Sequence, residues 1–360
     1  MLTLGARELW AEVELEQLLK VNYNLRIKQI DHLERGIKVT ADLGNFLLEP
    51  VASGTEDKWQ IVSDLYQHVA ENAEAFFQLH SPRITCAGKP YFHGYHGTYL
   101  LLPWLNGEPF YLTKKGYWGR VACSLAQFHM AGKGFKSSSF FSRKATARCW
   151  KSQWQTMLQK LELYRLSVGL AAVPSSFDKM WTEQFDYIFA MLEDALKYYD
   201  KQGGDKTYRS LSELCNICYG NVREKNLWLM PKGELRFLNW SNVYIDLRAQ
   251  DIKDLLIYAY GRTGSKSLIT YLLKSYTGIY QLKEKELHLI YAAMLYPERI
   301  MALLDAVYNR EMIAEQDALM RLTKVLQFEE RKLKLLRIYK EIVNKELGLP
   351  LSGVRWVHKS

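Results

Sequence analysis

Between Cys218 and Leu256 the chain reads CYGNVREKNLWLMPKGELRFLNWSNVYIDLRAQDIKDLL. Asn221, Asn226, Asn239 and Asp251 are spaced there as in a phosphoryl-transfer site. Two apolar runs, Leu227–Met230 and Leu235–Leu238, flank the turn Pro231-Lys232-Gly233, which predicts a hairpin. Phosphoryl transfer uses an Asp in the loop before such a hairpin to take the proton of the attacking hydroxyl. An Asn five residues on and an Asp just past the hairpin hold Mg²⁺ against the nucleotide phosphates. The base position here is Asn221, the first metal position is Asn226 and the second is Asn239. The spacing is kept and both acidic groups are amides.

The chemistry changes accordingly. A neutral amide cannot act as a general base near pH 7, so Asn221 is left with hydrogen bonding within its loop. Asn239 and Asn226 offer two neutral carbonyl oxygens where a hard cation wants carboxylates, so no metal site is expected. Upstream, GNFLLEPV (44–51) follows the pattern in which a lysine would attract phosphate, and Glu49 stands there. At about 4 Å and an effective dielectric near 20, each such charge contributes about 4 kcal/mol, so the reversal opposes ATP. Leu33-Glu34-Arg35-Gly36-Ile37 has a single glycine, too few for a loop whose backbone amides wrap phosphates. No cofactor is expected; ATP with Mg²⁺ would be bound only by an active phosphotransferase with atypical ligands, Asp246 or Asp254 supplying a carboxylate. A nucleotide-binding switch without transfer, using Asn226 and the segment Leu102–Leu105, is a third reading.

Other reactive residues read as structural. His93 and His96 flank a turn without an acidic partner. His129 sits on a helix beside apolar residues, and Cys123, Ser124 and His129 lack a third catalytic member. Cys215 and Cys218 form a lone pair with no second pair for zinc. Trp150, Trp154, Met157, Leu158 and Leu161 form a helical core stripe.

The elements that must position these residues change character along the chain. An apolar period predicts a helix over 6–20, and short β-rich runs follow at 24–30, 36–41 and 45–51, the last two joined by a turn at Asp42–Asn45. A helix over Glu56–Gln78, a β segment at Pro82–Thr85 and strands at Tyr91–Gly94 and Thr98–Leu102 lead to a hinge with Leu102, Trp104 and Leu105. Beyond it the periodicity is helical: Trp118–Met130, 148–167, 177–201, 251–261, 265–276, 283–307 and 310–346. Loops are expected at 137–142 and 201–205, and an unordered tail from Gly348. The division expected is an N-lobe over 1–105, a helical C-lobe over 106–347 and a tail over 348–360.

With 360 residues, 48% hydrophobic and 24% charged, the chain is long enough for a proper core. Its 23 tyrosines and 10 tryptophans favour aromatic packing or a contact surface. The net charge of +9 comes with scattered basic residues, one concentration lying at Arg331–Lys345, and with no nucleic-acid-binding motif, so nucleic acid is not an expected partner. Five cysteines fit a reducing compartment. No apolar run reaches membrane-spanning length, and the acidic, helical N-terminus is unlike a signal peptide.

Several segments together resemble one family: the hinge YLLLPWLNGEPF, the helix LAQFHMAGKGF (Leu125–Phe135), SSFDKMW (Ser175–Trp181), the loop Gly220–Asn226, DLRAQDIKDL (Asp246–Leu255) and YPERIMALLDAVYN (Tyr296–Asn309). In this order they are similar to the bacterial spore-coat kinase-like proteins of the CotS and YutH type, related to aminoglycoside and choline phosphotransferases. The resemblance implies an α+β, bilobal protein-kinase-like fold of aminoglycoside-phosphotransferase type, with a small β-rich N-lobe and a large helical C-lobe. It implies His-Gly-Asp at Tyr219-Gly220-Asn221, Asp at Asn239 and Lys at Glu49 in the active relatives; Asn226 matches, and Asp251 matches a residue that braces the catalytic loop. It further implies a coat protein of sporulation, made in the mother-cell cytoplasm and deposited in the spore coat among other coat or morphogenetic proteins. The expected function is that of a pseudokinase acting by binding; an active small-molecule phosphotransferase is the alternative.

Overall fold

Alternation along the first strands sets up the architecture. In the computed structural model, which describes residues 15–33, 36–71, 78–136, 150–212, 217–309 and 313–358, a short helix α1 (Leu15–Tyr23) leads into strands β1 (Ile27–Leu33), β2 (Gly36–Ala41) and β3 (Gly44–Val51). Ile37, Val39, Phe46 and Leu48 point to one face of the sheet, as the two-residue period requires, and pack with Leu19 and Tyr23 of α1. Helix α2 (Glu56–Glu71) follows, then β4 (Phe92–His93) and β5 (Thr98–Pro103). The five strands form an antiparallel sheet in the order β1-β2-β3-β5-β4. Leu100 and Leu102, on the other face of β5, are buried as well.

The contacts divide the chain into two compact units. The first joins residues 1–145 to 215–246, so the hairpin region belongs with the sheet; the expected lobe boundary at 105/106 falls inside this unit. After β5 it contains β6 (Glu108–Pro109), helix α3 (Lys115–Ala131), β7 (Ile217–Cys218), the hairpin β8 (Leu227–Leu229) and β9 (Leu235–Phe237), and β10 (Tyr244–Ile245). β6 pairs with β8, and β10 with β7.

The second unit joins 146–214 to 247–360 and is helical: α4 (Trp150–Leu170), α5 (Ser176–Glu183), α6 (Phe185–Lys201), α7 (Gly204–Ser212), α8 (Ala249–Thr263), α9 (Lys266–Ile279), α10 (Glu284–Leu295), α11 (Glu298–Tyr308) and α12 (Glu315–Glu346). Trp150 and Trp154 of the predicted stripe are buried, stacked on each other at 5.6 Å, with Tyr296 on Trp154 at 5.2 Å. Buried charges are paired. Arg248 grips Glu286 with two hydrogen bonds of 2.6 and 2.8 Å and lies 3.7 Å from the Tyr280 ring centroid. Lys253 reaches Asp254 at 3.2 Å and Glu298 at 2.6 Å, and Lys332 reaches Glu329 at 2.5 Å.

Several expectations are corrected. Residues 82–85 form no strand; of the helix expected over Glu56–Gln78, Glu56–Glu71 is helical, Gln78 is outside any helix and 72–77 lie outside the described residues. The helix expected over 177–201 is two, broken at Gln184, and that over 283–307 is broken at Tyr296-Pro297, where proline cannot continue the ladder. The expected loop at 201–205 gives way at Gly204 to α7. The tail packs against the fold as far as His358: Leu351 and Val357 are buried, Leu351 N–H donates to Asn344, and His358 Nε2 lies 2.9 Å from the Tyr291 hydroxyl. The start of the N-terminal helix, the loop at 137–142, Cys149 and Cys215 lie outside the described residues. Among the described residues no single helix is long and apolar enough to cross a membrane.

Candidate functional site

The loop from Tyr219 to Asn226 is held by aromatic packing and backbone hydrogen bonds. Tyr219 is fully buried between Phe237 (5.0 Å between ring centroids) and Trp240 (4.9 Å), and its hydroxyl donates to the Leu238 carbonyl. That bond ties the start of the loop to the residue before Asn239. Gly220 has φ +69°, and a Cβ there would meet the Asn242 carbonyl oxygen at 2.7 Å, so glycine is required on both counts. Behind the loop, Trp240 packs on Phe128 of α3, and Gly132 lets α3 approach Ile217 of β7.

Asn226 is buried, and its side-chain amide donates to the Asn221 carbonyl at 3.0 Å. Its backbone carbonyl accepts from Leu238 N–H at 2.9 Å, locking loop to hairpin. The side-chain NH₂ is thus used as a staple, and Oδ1 is the atom of Asn226 that could face a cation. Asn221 is half-buried. Asn239 is exposed and left-handed at φ 57° and ψ 69°, a conformation that Asn tolerates better than most residues. Its Oδ1 accepts from the Ser241 hydroxyl at 2.6 Å. The loop therefore keeps a shaped arrangement while presenting amide oxygens and no carboxylate at positions 221, 226 and 239.

On the sheet, Glu49 is half-buried opposite Leu100 of β5. Alternation sends it to the face away from Leu48. Lys38 of β2 pairs with Leu47 and so shares that face; its ammonium lies 5.0 Å from the ring centroid of Trp104. Sequence reasoning missed this lysine because it looked along β3 alone; register between strands was the needed signal. The hinge residue Leu102 is buried, Trp104 and Leu105 are half-buried, and Trp104 N–H donates to the Asn45 carbonyl at 2.9 Å. Leu33 pairs with Gly36, leaving two residues to connect β1 and β2.

Asp251 and Asp254 belong to the second unit. Asp251 is fully buried in the first turn of α8, where a carboxylate complements the helix dipole. Asp254 is paired with Lys253 in the second unit. The Asp246 carbonyl accepts from the Cys218 thiol at 3.4 Å. His93 Nδ1, at the end of β4, lies 3.0 Å from the Thr98 hydroxyl of β5, and His129 is fully buried beside Phe128. Among the described residues no group of three His, Cys, Asp or Glu side chains is placed to hold a metal ion.

Comparison with known structures gives the same architecture. An aminoglycoside phosphotransferase from Alicyclobacillus acidocaldarius superposes with a TM-score of 0.70 at 17% identity, over 93% of this chain and 97% of that one. Spectinomycin phosphotransferase, solved with ADP and spectinomycin, gives 0.56 at 13% identity over 91% and 96%. A Plasmodium vivax ethanolamine kinase gives 0.51 at 13% over 86% and 83%. At these identities the likeness establishes the fold, an α+β protein-kinase-like fold of two lobes. Residues 16–339 match the family described as spore coat putative kinase YutH. The chain belongs to that family.

Proposed function

We propose that the protein is a pseudokinase that acts by binding, as a structural or assembly component of the endospore coat. The observation that carries this reading is the pair of amides Asn221 and Asn239, where phosphoryl transfer uses carboxylates, in a loop held by the Asn226 and Tyr219 hydrogen bonds. Neither a proton acceptor nor an anionic metal ligand stands at those positions. Membership of a spore-coat family supports the coat as its place and other coat or morphogenetic proteins as its partners; synthesis in the mother-cell cytoplasm goes with that reading.

A second reading, nucleotide binding without transfer, is favoured by Lys38, a cation on the Glu49 face beside Trp104. Thermal melting with and without millimolar Mg-ATP, repeated with Mn²⁺, separates the two. A ligand at 100 times its Kd raises stability by about 2.7 kcal/mol. The pseudokinase reading expects no phosphoryl transfer under either metal. With no shift either, the nucleotide-binding reading is overturned. A shift abolished by Lys38→Met establishes the nucleotide-binding reading. Transfer to any small-molecule acceptor overturns both.

A further inference from the structure

Helix α3 buries Val121, Leu125 and Phe128, yet Arg120, Ser124 and Gln127 form a half-buried polar stripe at i, i+4 and i+7. That stripe lines a pocket of ≈ 320 Å³ completed by Gln78 and by Glu234 and Arg236 of the hairpin. Arg120 ties α3 to the hairpin at Gly233 and lies 5.1 Å from the Phe110 ring centroid; a polar ligand accounts for Ser124 and Gln127 beside it.

The charges in the pocket do not cancel. Two guanidiniums face one carboxylate among the described lining residues. Arg120 donates to the Gly233 carbonyl at 2.5 Å, and Arg236 pairs with Glu234 at 3.2 Å and with the Gln78 side-chain oxygen. Each guanidinium has five N–H donors, so these contacts leave others for a ligand. The Arg236 side chain is 13% exposed and its Nε is buried without a hydrogen-bond partner. Burial pushes this guanidinium below its ordinary value, with Glu234 pushing back. The neighbouring Cys123 thiol is pushed up by burial, stays neutral and adds no negative charge. A net positive charge partly withdrawn from water is costly unless an anion meets it.

We propose that this pocket binds a small oxyanion, a phosphate monoester or a carboxylate, held between Arg120 and Arg236 with Ser124 and Gln127 donating to it. Planar guanidiniums match both groups with paired hydrogen bonds, and the volume is at the small end of ligand pockets. The site does not depend on the amide loop or on any metal.

Melting curves of the full chain in EDTA at constant ionic strength, titrated with inorganic phosphate, glycerol phosphate or malonate against chloride, test this. EDTA keeps metal-dependent nucleotide binding out of the measurement. A saturable rise in Tm with either phosphate or malonate is expected, and which of them acts names the anion's source. Arg120→Gln should weaken the midpoint at least about fivefold, and Glu234→Gln, which removes the competing carboxylate, should tighten it. A purely structural Arg120 would lower Tm and leave the midpoint alone. No saturable shift from any anion up to about 20 mM, well above a millimolar Kd, overturns the proposal. So does an unchanged midpoint in both variants.

Discussion

The amide loop of the first unit and the ionic cluster of the second treat charge in opposite ways. In the loop, positions that would be anionic in a phosphotransferase are Asn221 and Asn239, and the shape is held by Tyr219, Trp240 and backbone carbonyls. In the helical unit, Arg248, Glu286, Lys253, Lys332 and Glu329 are ionisable side chains kept nearly inaccessible and set against one another in pairs. The difference lies in what compensates each charge. The buried side chains of the second unit compensate one another, so losing one strands its partner. A catalytic carboxylate would be compensated by a bound cation, and the loop's own hydrogen bonds never depended on it. The form of the loop therefore does not require charge at positions 221 and 239.

The largest test of this contrast is Arg248→Met. It leaves Glu286 buried without its partner, and chemical denaturation should show a loss of about 3–5 kcal/mol; a loss below about 1 kcal/mol would mean that the cluster is no more structural than the loop. Next is Gly220→Ala. A left-handed residue pressed against the Asn242 carbonyl should lose about 1–3 kcal/mol by the same method, whereas Asn221→Asp, which changes charge alone, should stay within about 0.5 kcal/mol.

The smallest effect is on pH. Burial lowers the pKa of His80, which donates to the Pro103 carbonyl, although that bond pulls it back up. His288 is likewise lowered by burial, against the Glu284 carboxylate, and His358 by burial together with Lys340 and Arg337. A group with a folded pKa below its unfolded value binds more protons when unfolded. Stability should thus be full above pH of about 6.5 and decline as pH falls below it. If the second unit dominates, replacing both His288 and His358 with Gln should flatten this slope more than His80→Gln does, in melts between pH 5 and 7.

The parts legible in the sequence were those with local signals. Phe46 and Leu48 alternate, Pro231-Lys232-Gly233 marks its turn, and the loop spacing from Asn221 to Asn226 is a fixed motif. What escaped depends on partners distant in sequence. Phe177, Trp181, Phe185 and Leu192 keep a helical period straight through Gln184, so nothing local announces the break there. The tail after Gly348 has scattered apolar residues without helical or strand period, and only their burial shows Leu351 and Val357 to be anchors. Gly203 and Gly204, where α7 begins, read as loop. The stripe Arg120, Ser124, Gln127 lies at helical spacing, in a stretch with no Asp or Glu between Glu108 and Glu162, but its pocket partners Glu234 and Arg236 are more than a hundred residues away.

The pairing of Glu108 with Leu229 also has a consequence for how the protein is made. Strand β6 leaves the ribosome long before its hydrogen-bonding partner, with the whole of residues 146–214 of the other unit translated in between. At about 5–20 residues per second that interval lasts several seconds or more. The five-stranded sheet can form early, from contacts local in sequence, but the first unit closes only when the hairpin arrives. Until then Glu108–Pro109 is an unpaired edge, and its proline and exposed glutamate are the kind of residues that discourage a wrong strand from adding to it during the wait.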